Sequence, residues 1–151
     1  MKLKIKKFDE LSTQELYKIL KTRVQVFVVE QNCPYNDLDG KDYDCTHIFM
    51  EEGDQILAYL RVLNPGVSYV ESSLGRVLVT ESARGKGLAK KIVQTGIDYI
   101  LNELNEDSIT IGAQNYLKNF YESLGFKAIS EVYLEDNIPH IDMTLNKAID
   151  K

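Results

Sequence analysis

The chain has 151 residues, 44% of them hydrophobic, and no Pro-, Gly- or Ser-rich linker divides it, so one domain over residues 1–151 is expected. A formal net charge of −5 argues against bulk nucleic-acid binding, and two cysteines, Cys33 and Cys45, are too few for a disulfide framework or a zinc cluster. The basic N-terminus lacks the apolar centre of a signal peptide and no apolar run reaches membrane-spanning length, which points to a soluble cytoplasmic protein with reduced thiols.

Residues 3–8 alternate lysine with apolar side chains and predict a strand near a sheet edge. Ser12-Thr13-Gln14-Glu15 is a capping box opening a helix whose apolar stripe is Leu16, Ile19, Leu20, Val24 and Phe27. At about 100° per residue Arg23 falls inside that stripe. Its guanidinium needs a carboxylate or a ligand, because a buried unpaired charge is very costly; an internal Asp or Glu and a substrate are both open.

A long acidic loop covers residues 28–44. It fails as a calcium loop on register, since with Gly40 as the turn glycine Tyr35 would hold the first ligand position and Thr46 the last. No metal is expected. A lid or wall on the substrate side is the job expected of so long a loop.

Residues 45–50 and 55–63 predict a hairpin, with His47 and Phe49 on one face and Ile48 and Met50 on the other; Tyr59 and Arg61 alternate with Ala58, Leu60 and Val62. Asn64-Pro65-Gly66 breaks the chain, and residues 75–80 read as a buried strand. Arg84-Gly85-Lys86-Gly87-Leu88-Ala89 then turns into an amphipathic helix reaching Leu104. Arg84, Lys86, Lys90 and Lys91 crowd a helix N-terminus, where the macrodipole is already positive. Their placement makes sense if an anion sits there, held by backbone N–H groups that the glycines free to curl. A solvated basic face is the alternative. A Walker loop is excluded because Gly87 is followed by leucine, and a dinucleotide fingerprint lacks its third glycine where Lys90 stands.

Residues 108–113 are the next strand, in which Gly112 leaves room for close approach of a ligand; residues 114–124 predict a short helix ending at Gly125. Residues 126–133 and 140–145 are the last strands, linked by residues 134–139. The sum is an α/β layer with a mixed, mostly antiparallel sheet flanked by helices.

Arg84, Gly87 and Ala89 form Arg-x-x-Gly-x-Ala, which resembles the pyrophosphate loop of the GCN5-related N-acetyltransferases (GNAT), and Tyr121 to Phe126 resembles that family's Tyr-x-x-x-Gly-Phe segment. The stretch from Arg23 to Asp42 is similar to the ElaA-like branch, so the resemblance spans nearly the whole chain. It implies the GNAT fold, with acetyl-CoA as co-substrate in a splay between the strand of Val77, Leu78 and Val79 and that of Ile109 to Ile111. The diphosphate would lie on Arg84, Gly85, Lys86, Gly87, Leu88 and Ala89, and the thioester oxygen would meet a backbone N–H near Leu78 or Val79. Gln114, with Asn115 beside it, stands where the family often has an asparagine on the pantetheine arm.

Tyr121 is the expected proton donor to the departing thiolate, or else a core tyrosine. Glu30, His47 and His140 are the candidate bases, each with a structural role as its alternative. Arg23, Phe27, Arg61 and Arg76 are the acceptor-side candidates. The acidic loop favours a cationic amine and the arginines favour a carboxylate, so an amine carrying an acid group would use both. The function implied is N-acetylation of a primary amine on a small molecule or peptide by direct transfer in a ternary complex, by a monomer or homodimer with no nucleic-acid or membrane partner. A coenzyme A-binding sensor and an acyl-homoserine-lactone-synthase-like acyltransferase are the rival readings.

Overall fold

A computed structural model describes residues 1–148. Strands β1 (Lys2–Lys7), β2 (Thr46–Glu52), β3 (Gln55–Leu63) and β4 (Ser73–Val79) form one antiparallel sheet in that order. Strands β5 (Ser108–Gln114), β6 (Lys127–Ala128), β7 (Tyr133–Glu135) and β8 (Ile138–Asn146) form a second, in which β8 pairs with the other three. The two sheets meet where β4 runs parallel to β5. Among the described residues their only ladder contact is the bridge between Ser72 and Ile109, closed by the Thr110 N–H on the Ser72 carbonyl at 3.0 Å. Beyond it the strands part.

Helix α1 (Thr13–Arg23) starts at the predicted capping box: Ser12 Oγ accepts the Glu15 N–H at 3.0 Å and Glu15 Oε1 accepts the Ser12 N–H at 2.9 Å. Glu15 also pairs with Lys4 and Lys6, which ties the helix to β1. The α-helix ends at Arg23 and continues as π-helical turns over Val24–Glu30. A π turn takes up more residues than an α turn, so the apolar face rotates. Val26 and Phe27 turn inward while Val24, expected inside, is 39% exposed.

Helix α2 (Leu88–Asp98) behaves alike, passing into π turns at Tyr99–Glu103. Its face of Ile92, Val93, Ile97 and Ile100 packs on Ile48, Leu60, Leu74 and Met143, in the larger core cluster. Gly96 fits closely there: a Cβ would stand 3.1 Å from the Leu60 side chain, which would have to shift by a few tenths of an ångström. The opposite face of the first sheet packs Phe49, Tyr59 and Leu78 against Ile19, Val26 and Phe27. The strand alternation read from the sequence thus separates two cores.

The C-terminal half departs from expectation in three places. The segment 114–124 is the end of β5, a 3-10 turn at Asn115–Leu117 and helix α3 (Lys118–Ser123). The strand expected over 126–133 is cut short after Ala128, where Ser130 Oγ accepts the Asp142 N–H in place of a backbone carbonyl. Residues 134–139 are a hairpin rather than a linker: Asp136 and Asn137 take φ of +49° and +62°, the pair of left-handed residues a two-residue turn requires.

Candidate active site

Where β4 and β5 part they bound a cleft of about 660 Å³. One wall is Gly75, Arg76 and Val77; the other is Ile111, Gly112, Ala113 and Gln114. Since the strands join at Ile109, the opening lies further along β5 than the sequence suggests, and Ile109 and Thr110 are buried behind it. The long loop walls the cleft, as expected of it, through Gln31, Cys33, Tyr35, Asn36, Asp39 and Lys41. Its start is tied to the opposite wall: the Gln114 side-chain N–H donates to Gln31 Oε1 at 3.4 Å.

Strand β4 carries a bulge that sequence reasoning missed. Tyr59 pairs with Leu78 and Arg61 with Gly75, so Arg76 and Val77 both stand opposite Leu60 and leave the register. Arg76 adopts φ +51°, a conformation that L residues seldom take and that clusters at functional sites. The backbone released from pairing is therefore at Arg76 and Val77, inside the cleft. Leu78 is 3% exposed in the α1 core, and neither it nor Val79 lines the cleft.

Phe27, Arg61, Arg76, Val77, Gln114, Tyr121 and His140 all line the cleft; Asn115 does not. Tyr121 is 5% exposed, and no described group hydrogen-bonds its hydroxyl. Burial pushes that phenol above its ordinary range, so it keeps its proton at neutral pH. His140 Nδ1 lies 2.7 Å from the Ile138 carbonyl. A carbonyl only accepts, so Nδ1 bears a proton, and Nε2 lies 3.5 Å from Glu135 Oε2.

Three of the candidate bases and acceptor-side residues do not line the cleft. Arg23 is fully buried, and each of its three nitrogens has an acceptor: Nε on Asp37 Oδ2 at 2.9 Å, Nη1 on Asp42 Oδ1 at 2.6 Å, Nη2 on the Asp37 carbonyl at 2.9 Å. The internal-carboxylate reading holds and the substrate role falls. His47 is fully buried, donating from Nε2 to the Asp42 carbonyl at 3.1 Å and accepting at Nδ1 from the Tyr59 hydroxyl at 2.8 Å. Neither nitrogen is free to act as a base, and burial pushes the imidazole below its ordinary pKa. Glu30 sits outside the cleft, with Oε2 2.6 Å from Arg84 Nη2.

Asp37, Asp39 and Asp42 of the loop are paired rather than available to an amine. Asp39 accepts from Arg61 at 2.6 and 2.9 Å, and Asp42 from Arg61 at 3.0 Å. Arg76 Nε lies 2.8 Å from Asp37 Oδ1 but off the N–H direction, so the two are an ion pair without a hydrogen bond. Burial alone would raise the Asp42 carboxyl, yet the hydrogen bond and charge of Arg23 and the charge of Arg61 hold it below the usual range. Gly112, in the cleft wall, is exposed, and a Cβ there would meet the Tyr69 hydroxyl at 2.9 Å and that of Tyr133 at 3.1 Å, both of which donate to Asp142.

At the basic turn Gly85 and Gly87 take φ of +80° and +75°, and a Cβ on either would stand in open space. No side chain caps the first turn of α2, so its N–H groups are unclaimed by side chains. Lys86, Lys90 and Lys91 are exposed and form no ion pair among the described residues, whereas Arg84 is held by Glu30 and by the Val79 carbonyl at 2.9 Å. Leu88 faces the core and Ala89 is half-buried. An exposed concavity of backbone donors ringed by lysines fits a diphosphate.

A family model described as an acetyltransferase (GNAT) domain matches residues 8–147. The chain belongs to the GNAT acetyltransferase family. ElaA of Escherichia coli is 41% identical over 137 residues, which make up 89% of this chain and 90% of that protein. The crystal structure of Escherichia coli ElaA superposes with a TM-score of 0.89 at 38% identity, covering 97% of this chain and 100% of that one. An acyl-CoA N-acyltransferase from Pseudomonas aeruginosa gives 0.90 at 37% identity over 96% and 99% of the two chains. The parted strands are thus part of a GNAT acyltransferase fold, a family that uses acyl-CoA. Among the described residues no helix is long and apolar enough to cross a membrane, and no three His, Cys, Asp or Glu side chains gather as a metal set.

Proposed function

We propose that the chain transfers an acetyl group from acetyl-CoA to a primary amine of a small molecule or an exposed amino group, directly, within a ternary complex. The observation that carries this reading is a cleft lined by both Tyr121, with its hydroxyl unengaged, and His140, between the strands that a GNAT fold parts for its acyl donor. When bound, acetyl-CoA supplies an activated thioester. Gly85, Lys86 and Gly87, with the first turn of α2, would hold its diphosphate, and Gln114 offers an amide to the arm beyond.

An amine attacks only when neutral. His140 Nε2 takes the proton from the ammonium, and Glu135, 60% exposed at 3.5 Å, stabilises the imidazolium that results. The bulged backbone at Arg76 and Val77 offers N–H groups to the carbonyl oxygen that gains charge. Tyr121 gives its proton to the sulfur that leaves, a role its raised pKa suits because the donor is protonated at every physiological pH.

A thiol-release assay over a panel of amines tests the reading. Tyr121→Phe is expected to lower kcat about 100-fold with acetyl-CoA affinity unchanged, the usual weight of one general acid. Tight binding of coenzyme A with no turnover on any amine would instead favour a sensor.

A further inference from the structure

The two walls of the cleft carry opposite charge. On the loop and β3–β4 side the cleft is lined by the cations Lys41, Arg61 and Arg76 and the carboxylate Asp39; Arg61 is matched by Asp39 and Asp42 and Arg76 by Asp37. Lys41 is the surplus. It lines the cleft, its ammonium is held only by Ser68 Oγ at 2.9 Å, and it has no carboxylate partner among the described residues. Arg61, also lining the cleft and only 3% exposed, keeps its Nε buried without an acceptor, a cost that one more oxygen would relieve.

On the hairpin side, Glu135 and Asp136 line the cleft without a lysine or arginine partner among the described residues, and His140 stands beside them. One rim is short of an anion and the other short of a cation.

We infer that the acceptor is a small amine that also carries a carboxylate, its acid group received by Lys41 and Arg61 and its ammonium by Glu135 and His140. The inference rests on the acyl-transfer reading above and narrows its substrate class. It also replaces the residues from which the sequence suggests the same chemistry: Arg23 has withdrawn into the core and the loop aspartates are neutralised, so Lys41 supplies the positive pole and the hairpin the negative one. A carboxylate at Lys41 gains a charge-assisted hydrogen bond that an ester or a bare amine cannot make. The same pairing holds the acceptor's amine towards the His140 side, where its proton is removed.

The test compares one amino acid with its methyl ester and its decarboxylated amine, using acetyl-CoA with the intact chain. The free acid is expected to lead both in kcat/KM by about tenfold, the ordinary weight of one hydrogen bond to a charged group. Lys41→Met is expected to abolish that preference and Lys41→Arg to restore it. Equal turnover of acid and ester by the unaltered chain, or an equal loss for both in Lys41→Met, would overturn the inference. Calorimetry of the same three ligands in the presence of coenzyme A separates it from the reading beneath it. Preferential binding of the acid without any thiol release would sink the catalytic reading and keep the acceptor class, while binding that ignores the carboxylate would sink the acceptor class.

Discussion

The chain has two concentrations of positive charge, and both stand out in the sequence as places for a ligand: the arginines around α1 and β3, and the turn from Arg84 to Lys91. Their fates are opposite. Arg23 and Arg61 are 0% and 3% exposed and bind internal aspartates, while Lys86, Lys90 and Lys91 stand in solvent with no ion pair among the described residues. Desolvation decides between them. A guanidinium inside an apolar stripe must find its counter-charge within the fold, so the loop that supplies it is drawn over the core. A lysine at an exposed helix end is hydrated and can wait for a partner from outside. A buried cation with every nitrogen paired inside the fold, as Arg23 is, therefore reports on architecture, and an exposed, dipole-opposed one on binding.

Removing Arg23 breaks the comparison at its stronger end. Arg23→Met leaves Asp37 and Asp42 without their buried partner, and urea unfolding is expected to register a loss of about 3–5 kcal/mol. The pH dependence sharpens the cause. Asp42 is depressed on folding, and Glu15, which burial would raise, is drawn to about 2 by Lys4, the Ser12 N–H and Lys6. A depressed carboxyl contributes stability that is present above its unfolded value, about pH 4, and lost as pH falls toward the folded value. His47, depressed by burial, adds a further loss that begins below about pH 6.5. The intact chain should therefore weaken steadily through this acid range. Arg23→Met should lose the part of that slope due to Asp42; an unchanged slope would mean that Asp42 gains nothing from the guanidinium.

At the other cluster the sign reverses. Lys86→Ala with Lys90→Ala removes cations that the α2 dipole opposes, so the fold should gain up to about 0.5 kcal/mol. Acetyl-CoA affinity should fall about tenfold, with a shallower dependence on salt, as expected when two phosphate-facing charges are lost. Calorimetry at two salt concentrations, run beside thermal unfolding, reads both. Equal affinity would remove the turn from the site.

How far the sequence reaches follows from the range of the relation involved. The basic turn is legible because strand, glycines and helix are contiguous, and so are the capping box at Ser12 and the two faces of β2 and β3. Arg23 is legible in half: its position in the stripe demands a carboxylate, but nothing local says that Asp37 and Asp42 supply it. For the same reason the loop seems an acidic surface until its aspartates are matched with arginines from α1, β3 and β4. The bulge has no sequence signal, since Arg76 holds φ +51° without a glycine. The Asp136-Asn137 turn did have one, as these residue types tolerate left-handed backbone. Pro139 does not break the hairpin, since it pairs with Leu134 on the short edge strand β7.

The smallest expected effect lies where the two regions touch. Glu30 leaves the end of α1's π turns to hold Arg84 at 2.6 Å, with the two side chains 24% and 45% exposed. An exposed pair of this kind contributes only about 0.5 kcal/mol, so Glu30→Gln should hardly alter unfolding. It does, however, release a positive charge beside the cradle, and acetyl-CoA affinity is expected to rise by about twofold at low salt, fading as salt screens it. The kcat of that variant distinguishes the two roles open to Glu30. A residue outside the cleft that neutralises Arg84 leaves kcat near its original value, whereas a general base would cost about 100-fold. A collapse in kcat with affinity unchanged would return Glu30 to the catalytic site and displace His140.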